Sequence, residues 1–93
     1  MFKKTLLLFR EKIRTRQYIV TVHADEEMDA DELSIFDVEN CILTGEITER
    51  QRDINTGEWK YVIAGKSIDN SKMKVVGKES PTGKLVIITV FVD

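Results

Sequence analysis

The chain passes from a strand to a helix within seven residues, which read Tyr18-Ile19-Val20-Thr21-Val22-His23-Ala24. The β-branched run over residues 18–22 favours a strand. Residues 23–31 favour a short helix, because Ala24 and Met28 share one side and acidic residues occupy the first turns, where the helix dipole stabilises negative charge. His23 is the only histidine of the chain, and it stands at this junction.

Two further helices are predicted around this junction. Apolar residues recur at helical spacing near the N-terminus, at Phe2, Leu6, Phe9 and Ile13. They predict an amphipathic helix over residues 2–14. Ser34 is a candidate N-cap with Asp37 three residues later, as in a capping box, and Gly45 suits a left-handed C-cap. A second helix is therefore predicted between Ser34 and Gly45.

After Gly45 the hydrophobic period changes to two, which predicts strands. The predicted strands cover residues 46–53, 59–64, 73–79 and 85–92, with turn signals between them. The first is polar and suits an edge, whereas the last is apolar on both faces and suits a central position. Short connections favour an antiparallel meander. We expect an α+β fold, with two or three helices packed on one twisted antiparallel sheet of four to five strands.

Composition limits the classes of function. Ninety-three residues make one domain, residues 1–93, and one cysteine, Cys41, excludes an internal disulfide. The first apolar run ends at Phe9, too short for a signal peptide, and no run reaches membrane-spanning length. We therefore expect a cytoplasmic protein with no membrane partner. The oligomeric state is not predicted.

Charge is distributed unevenly along the chain. Residues 3–16 carry six basic side chains and one acidic one, residues 23–46 carry nine acidic and no lysine or arginine, and residues 50–84 carry eight basic and four acidic. Such a chain can offer two surfaces to two different partners. Solvated charge without a partner is the simpler interpretation for any single residue.

The order of several patterns resembles a bacterial family, the proteins carrying domain of unknown function 4258. The matching patterns are Tyr18-x-x-Thr21-x-His23-Ala24, Met28, Ile35-x-x-Val38, Gly45-Glu46-Ile47, Lys60-Tyr61-x-Ile63-x-Gly65, Val75-Val76 and Ile87-Ile88-Thr89-Val90. Many members have arginines on both sides of the position of Met28, where this chain has Glu27 and the acidic residues 29–32. The resemblance makes residues 17–93 the core and residues 1–16 a variable N-terminal helix.

The family is similar in layout to the RelE and ParE toxin superfamily, in which BrnT and MqsR look closest. Members of that superfamily are small ribonucleases or gyrase poisons, each held inactive by an antitoxin. The resemblance therefore implies a RelE-like toxin architecture, with an antitoxin protein and RNA as expected partners.

Metal-independent RNA cleavage needs a base, an acid and cations that stabilise the phosphorane charge. We predict His23, Lys60 and Tyr61 as catalytic residues, with His23 as base or acid and Tyr61 as acid or phosphate donor. The residues predicted to bind RNA phosphates are Arg50, Arg52, Lys74 and Lys78. Lys60, Lys74 and Lys78 can share one concave sheet surface, since strand residues alternate between faces.

Each of these residues also has a purely structural interpretation. His23 can simply order the strand-to-helix turn, Tyr61 can pack beside Trp59 and Ile63, and Cys41 can pack against the sheet. His23 and Glu27 have helical ligand spacing, but two ligands do not make a metal site. The glycines form no phosphate-binding loop. No metal and no cofactor is therefore predicted.

Two functions remain open from the sequence. The first is a toxin-like protein of a bacterial toxin–antitoxin system that acts as a metal-independent ribonuclease. The alternative is a non-catalytic protein-interaction module on the same fold. An isoelectric point near 5.4 opposes the first, because RNA binding draws on positive charge.

Overall fold

Five strands form one mixed sheet in this computed structural model, which describes residues 2–93. The strands are β1 (Tyr18–Val20), β2 (Glu46–Arg52), β3 (Trp59–Lys66), β4 (Lys72–Glu79) and β5 (Leu85–Val92). Their order in the sheet is β1-β5-β4-β3-β2. The run from β2 to β5 is the predicted antiparallel meander, with β2 at an edge and β5 inside the sheet.

The pairing of β1 differs from the expected all-antiparallel sheet. β1 runs parallel to β5, with Tyr18 opposite Leu85 and Val20 opposite Ile87. Parallel neighbours need a long connection, and here everything from α2 to β4 lies between the two strands in the chain. Strands paired over such a distance are not joined by a local turn, so the sequence pattern could not predict that β1 runs parallel to β5.

Three helices cover one face of the sheet: α1 (Lys3–Arg14), α2 (Val22–Ala30) and α3 (Ile35–Thr44). One hydrophobic core joins their apolar sides to the strands. Its buried residues are Phe9, Ile13, Ala24, Met28, Val38, Cys41, Ile42, Ile63, Met73, Val75, Leu85, Ile87 and Val90. This confirms the α+β fold with helices packed on one side. Within residues 2–93 no helix has the length and apolar character needed to cross a membrane.

The helix ends follow the predicted capping with one correction. The Asp37 carboxylate accepts hydrogen bonds from the backbone N–H of Ser34 at 2.9 Å and from its hydroxyl at 3.2 Å. Gly45, however, is extended, with φ −92°, so the predicted left-handed C-cap is wrong. Glycine is required there because a Cβ would collide with the carbonyl oxygens of Ala64 and Cys41.

Helix α1 is an integral part of the packing. Three of its own residues, Leu6, Phe9 and Ile13, are buried against the rest of the protein. Arg10 donates to the carbonyl oxygens of Ile42 at 3.2 Å and Gly45 at 2.8 Å. These two carbonyls lie at the C-terminal end of α3, where a cation satisfies unpaired acceptors and opposes the helix dipole.

Candidate nucleic-acid interface

The sheet face opposite the helices carries a group of lysines, which we call the lysine face. It consists of Lys60, Lys66, Lys72, Lys74 and Lys78. Directly opposed residues of an antiparallel pair point to the same side, and Ala64 stands opposite Lys74 while Lys66 stands opposite Lys72. The strand register therefore places Lys60, Lys74 and Lys78 on one surface.

Two of these lysines have carboxylate partners. Lys78 pairs with Glu58 at 3.2 Å, and Lys74 lies 3.9 Å from Asp93. Among residues 2–93, Lys60, Lys66 and Lys72 have no carboxylate within ion-pair distance. These three ammonium groups are therefore available for an external anion.

Lys60 and Lys78 are neighbours on β3 and β4, because Tyr61 and Gly77 stand opposite each other, and both act on the pKa of Asp53. It is lowered mainly because the backbone N–H groups of Asn55 and Thr56 donate to this carboxylate. The positive charges of Lys60 and Lys78 lower it further. Both lysines thus act on the same carboxylate at the β2–β3 end of the face.

Acidic residues border the lysine face on the edge strand. Glu46 stands opposite Ala64 and Glu49 opposite Val62, so both glutamates point to the helix-free side. Val62 and Val76, directly opposed in β3 and β4, form the buried floor of the face. Positive charge is therefore concentrated over β3 and β4 rather than spread over the whole sheet.

His23 lies in the first turn of α2, away from the lysines. Its imidazole Nε2 is 3.2 Å from a Glu27 carboxylate oxygen, and its side chain is 67% exposed. The same oxygen accepts a hydrogen bond from the backbone N–H of Val90 at 3.1 Å. Glu27 thus attaches α2 to β5 just beyond the end of the short strand β1, and His23 is held at that margin.

The strand register gives the separation of Lys60 from Val90, the strand residue to which the His23–Glu27 pair is attached. Val90 stands opposite Val75 in β4, three residues from Lys78, and Lys60 lies one further strand away. With ~4.8 Å between strands and ~3.3 Å per residue, the backbones of Val90 and Lys60 are roughly 14 Å apart. The His23–Glu27 pair is therefore attached to a different part of the sheet from Lys60.

Tyr61, Arg50 and Arg52 lie on the helix side of the sheet. Tyr61 makes edge-to-face contacts with Phe9 and Phe2, at ring-centroid distances of 5.6 and 5.9 Å. Tyr61 is therefore packed against α1 and its N-cap residue, on the face opposite Lys60. Arg50 stands opposite Tyr61 and Arg52 opposite Trp59, so neither arginine belongs to the lysine face.

The predicted site residues are therefore divided among three places. The lysine face has Lys60, Lys74 and Lys78, the helix side of β2 and β3 has Tyr61 and the two arginines, and the α2–β5 margin has His23. Sequence reasoning missed Lys66 and Lys72, although strand alternation was a signal that could have found them. Within the described chain, no three His, Cys, Asp or Glu side chains are grouped so that they could hold a metal ion.

Comparison with known proteins identifies one family. The family model described as "Domain of unknown function (DUF4258)" matches residues 20–92, which excludes α1 and most of β1. No curated protein matches the chain significantly. No solved structure matches it significantly either.

Proposed function

We propose that this chain, which belongs to the family described as domain of unknown function DUF4258, is a toxin-like protein of a bacterial toxin–antitoxin system that binds and cleaves RNA on the lysine face. The lysine face is the observation that carries this proposal. It gathers three of the predicted cationic residues with two further lysines on a surface that no helix covers.

The lysine face supports the electrostatic part of metal-independent cleavage. Ammonium groups hold phosphates and stabilise the charge that develops on the phosphorane. Lys60 has no carboxylate partner among residues 2–93, and its three N–H donors can also protonate a leaving oxygen. In this proposal the 2′-hydroxyl attacks the scissile phosphorus and loses its proton to water, while Lys60 protonates the leaving 5′-oxygen. Lys74 and Lys78 exchange their carboxylate partners for the neighbouring phosphates, and His23, whose partner Glu27 is attached at Val90, takes no part.

Induced expression in a bacterial host tests the proposal. The wild type should arrest growth and degrade RNA, and the purified protein should cleave RNA in the presence of a chelator. Lys60→Ala should reduce cleavage by at least ~10²-fold, the size of effect that removal of one transition-state donor produces. Lys84→Ala is the matched control, because Lys84 is exposed in the β4–β5 turn and lies outside the lysine face.

Intact RNA and normal growth with a folded wild-type protein would contradict the ribonuclease proposal. Equal activity of Lys60→Ala and wild type would remove Lys60 from the mechanism. Circular dichroism of each variant separates loss of activity from loss of folding.

The second candidate function is a non-catalytic protein-interaction module. The observation that favours it is the separation of three predicted catalytic residues, because Lys60 and Tyr61 point to opposite faces of the sheet and His23 belongs to α2. Under this proposal the exposed acidic side of α2, formed by Asp25, Glu26 and Asp29, is the docking surface for a basic segment of a partner such as an antitoxin. Partner binding without growth arrest or RNA cleavage would favour this function over the first.

A further inference from the structure

A second basic surface lies on the helix side of the sheet, where α1 begins beside β2 and β3. It is an open cleft of about 520 Å³ lined by Phe2, Lys3, Lys4, Thr5, Arg50 and Tyr61. We call it the arginine–aromatic cleft.

Arginine and aromatic side chains are stacked along one border of the cleft. The guanidinium carbon of Arg50 lies 4.1 Å from the ring centroid of Trp59 and 5.7 Å from that of Phe2. Arg52 lies 4.9 Å from the Trp59 centroid and donates to the Gly57 carbonyl oxygen at 3.1 Å. Cation–π contacts of this kind hold a guanidinium in place, and its positive charge stays available to an anion.

The cleft has no negative charge of its own. Its lining contains three cationic side chains and no carboxylate. Within residues 2–93 Arg50 makes no ion pair and donates no hydrogen bond to a side chain or backbone oxygen, and the first turn of α1 has no acidic residue. In a protein of net charge −2, such a group of unpaired cations concentrates positive potential where an anion can enter.

We propose that the arginine–aromatic cleft binds a phosphate and the adjoining base of single-stranded RNA. Arg50, Lys3 and Lys4 contact the phosphate, and the base packs against the aromatic wall of Phe2 and Tyr61. Stacking on aromatic rings and guanidinium planes together with phosphate contacts is how proteins hold single-stranded nucleic acid. A peptide of acidic residues would satisfy the cations but has no aromatic ring to stack against the aromatic wall.

The choice of RNA as the ligand rests on the proposed function, whereas the cleft itself is a separate surface. Trp59 and Tyr61 point to the helix side of β3 and Lys60 to the other side. A single strand that crosses the edge strand β2 can therefore contact both surfaces. The cleft would add phosphate contacts beyond those of the lysine face and lengthen the segment of RNA that is bound.

Binding of a fluorescein-labelled oligouridylate, measured by anisotropy over a series of salt concentrations, tests this proposal. Arg50→Ala should weaken binding about tenfold and reduce the slope of log K against log salt by ~0.7, the value for one phosphate contact to a single strand. Arg14→Ala is the charge-matched control, since Arg14 is exposed at the far end of α1, and it should stay near wild type. Trp59 is the only tryptophan, so its emission should change when the unlabelled oligouridylate enters the cleft.

The variants distinguish failure of this inference from failure of the proposed function. Weaker binding by Lys60→Ala with unchanged binding by Arg50→Ala would contradict RNA binding at the cleft and would support RNA binding on the lysine face. Weaker binding by Arg50→Ala alone would support the cleft and count against the lysine face. Equal affinities of Arg50→Ala and Arg14→Ala, or equally tight binding of an oligoglutamate peptide at the cleft, would overturn the inference.

Discussion

Glu27 stands one residue before Met28 in α2, and its contacts explain what an acid does there. One carboxylate oxygen accepts from the Val90 backbone N–H and lies 3.2 Å from the His23 imidazole. Strand β1 ends before it can pair with this part of β5, so the N–H of Val90 needs another acceptor. The acid at Glu27 therefore has a structural role that an arginine, which only donates, cannot take.

The ionisation of a single residue, Tyr18, should make the stability of the folded protein depend on pH in the alkaline range. Its hydroxyl donates to a Glu39 carboxylate oxygen at 2.7 Å. Burial, and then this hydrogen bond and the charge of Glu39, raise the pKa of Tyr18 to about 12. A raised pKa stabilises the folded protein below the unfolded value near 10, and this contribution is lost as the pH rises from about 10 to about 12.

Urea unfolding of the wild type and Tyr18→Phe at several pH values measures this effect. At pH 7 the variant should be less stable by about 1 kcal/mol, the usual net value of one hydrogen bond. Between pH 10 and 12 the wild type should lose stability more steeply than the variant. Burial also raises the pKa of the Cys41 thiol to about 12, but both proteins share that group. Parallel curves for the two proteins would contradict the assignment to Tyr18.

At the scale of the element, Asp37 links the start of α3 to the turn between β3 and β4. One carboxylate oxygen accepts from the Ser34 N–H at 2.9 Å, and the other accepts from the Ile68 N–H at 2.9 Å. These backbone hydrogen bonds lower the pKa of Asp37, the bond from Ser34 most strongly. One side chain thus caps a helix and fixes a hairpin, although the capping pattern in the sequence indicates only the first role.

Replacing Asp37 should therefore lower the free energy of unfolding by more than the loss of a helix cap alone. We expect Asp37→Ala to lower the free energy of unfolding by about 2 kcal/mol at pH 7, the upper end of the range for capping residues. Because the folded pKa is lowered, the contribution is present above the ordinary value of 3.8 and is lost as the pH falls through the folded pKa. Denaturation curves of the two proteins should converge in acid.

Asp31→Ala serves as the control for Asp37→Ala, since Asp31 is exposed after α2 and should have little effect on stability. A difference between Asp37→Ala and wild type that persists unchanged in acid would contradict the role assigned to the carboxylate.

At the scale of the whole molecule, α1 is not covered by the family match, but its apolar side forms part of the hydrophobic core. The match begins at residue 20, whereas Phe9 of α1 is 1% exposed and contacts Tyr61 of β3. The description of residues 1–16 as a variable extension therefore refers to sequence rather than to packing. The remaining elements depend on α1 to cover the part of the sheet near Tyr61.

Truncation of Phe9 tests this dependence. Phe9→Ala should lower the free energy of unfolding by about 3–5 kcal/mol, the usual range for truncation of a large buried aromatic residue. The melting temperature should fall by roughly 10 °C or more in a domain of this size. Leu7→Ala is the matched control on the same helix, because Leu7 is 51% exposed and should change stability little. Similar melting temperatures for the two variants would contradict a structural role for α1.

The local elements and the composition of each face could be predicted from the sequence. Strand alternation placed Lys60, Lys74 and Lys78 on one face, and helical periodicity identified Phe9 and Ile13 as core residues. These predictions succeed because side chains two apart in a strand, or three to four apart in a helix, share a side whatever the rest of the chain does.

Contacts between distant segments could not be predicted from local patterns and are known from the fold alone. The fold paired β1 with β5 in parallel, set His23 and Lys60 on different parts of the molecule, and brought Arg50 onto Trp59 beside the start of α1. Such contacts depend on the burial that all elements achieve together, which no local pattern contains. Local patterns in the chain define the elements and their faces, whereas the arrangement of the candidate site comes from packing of the whole chain.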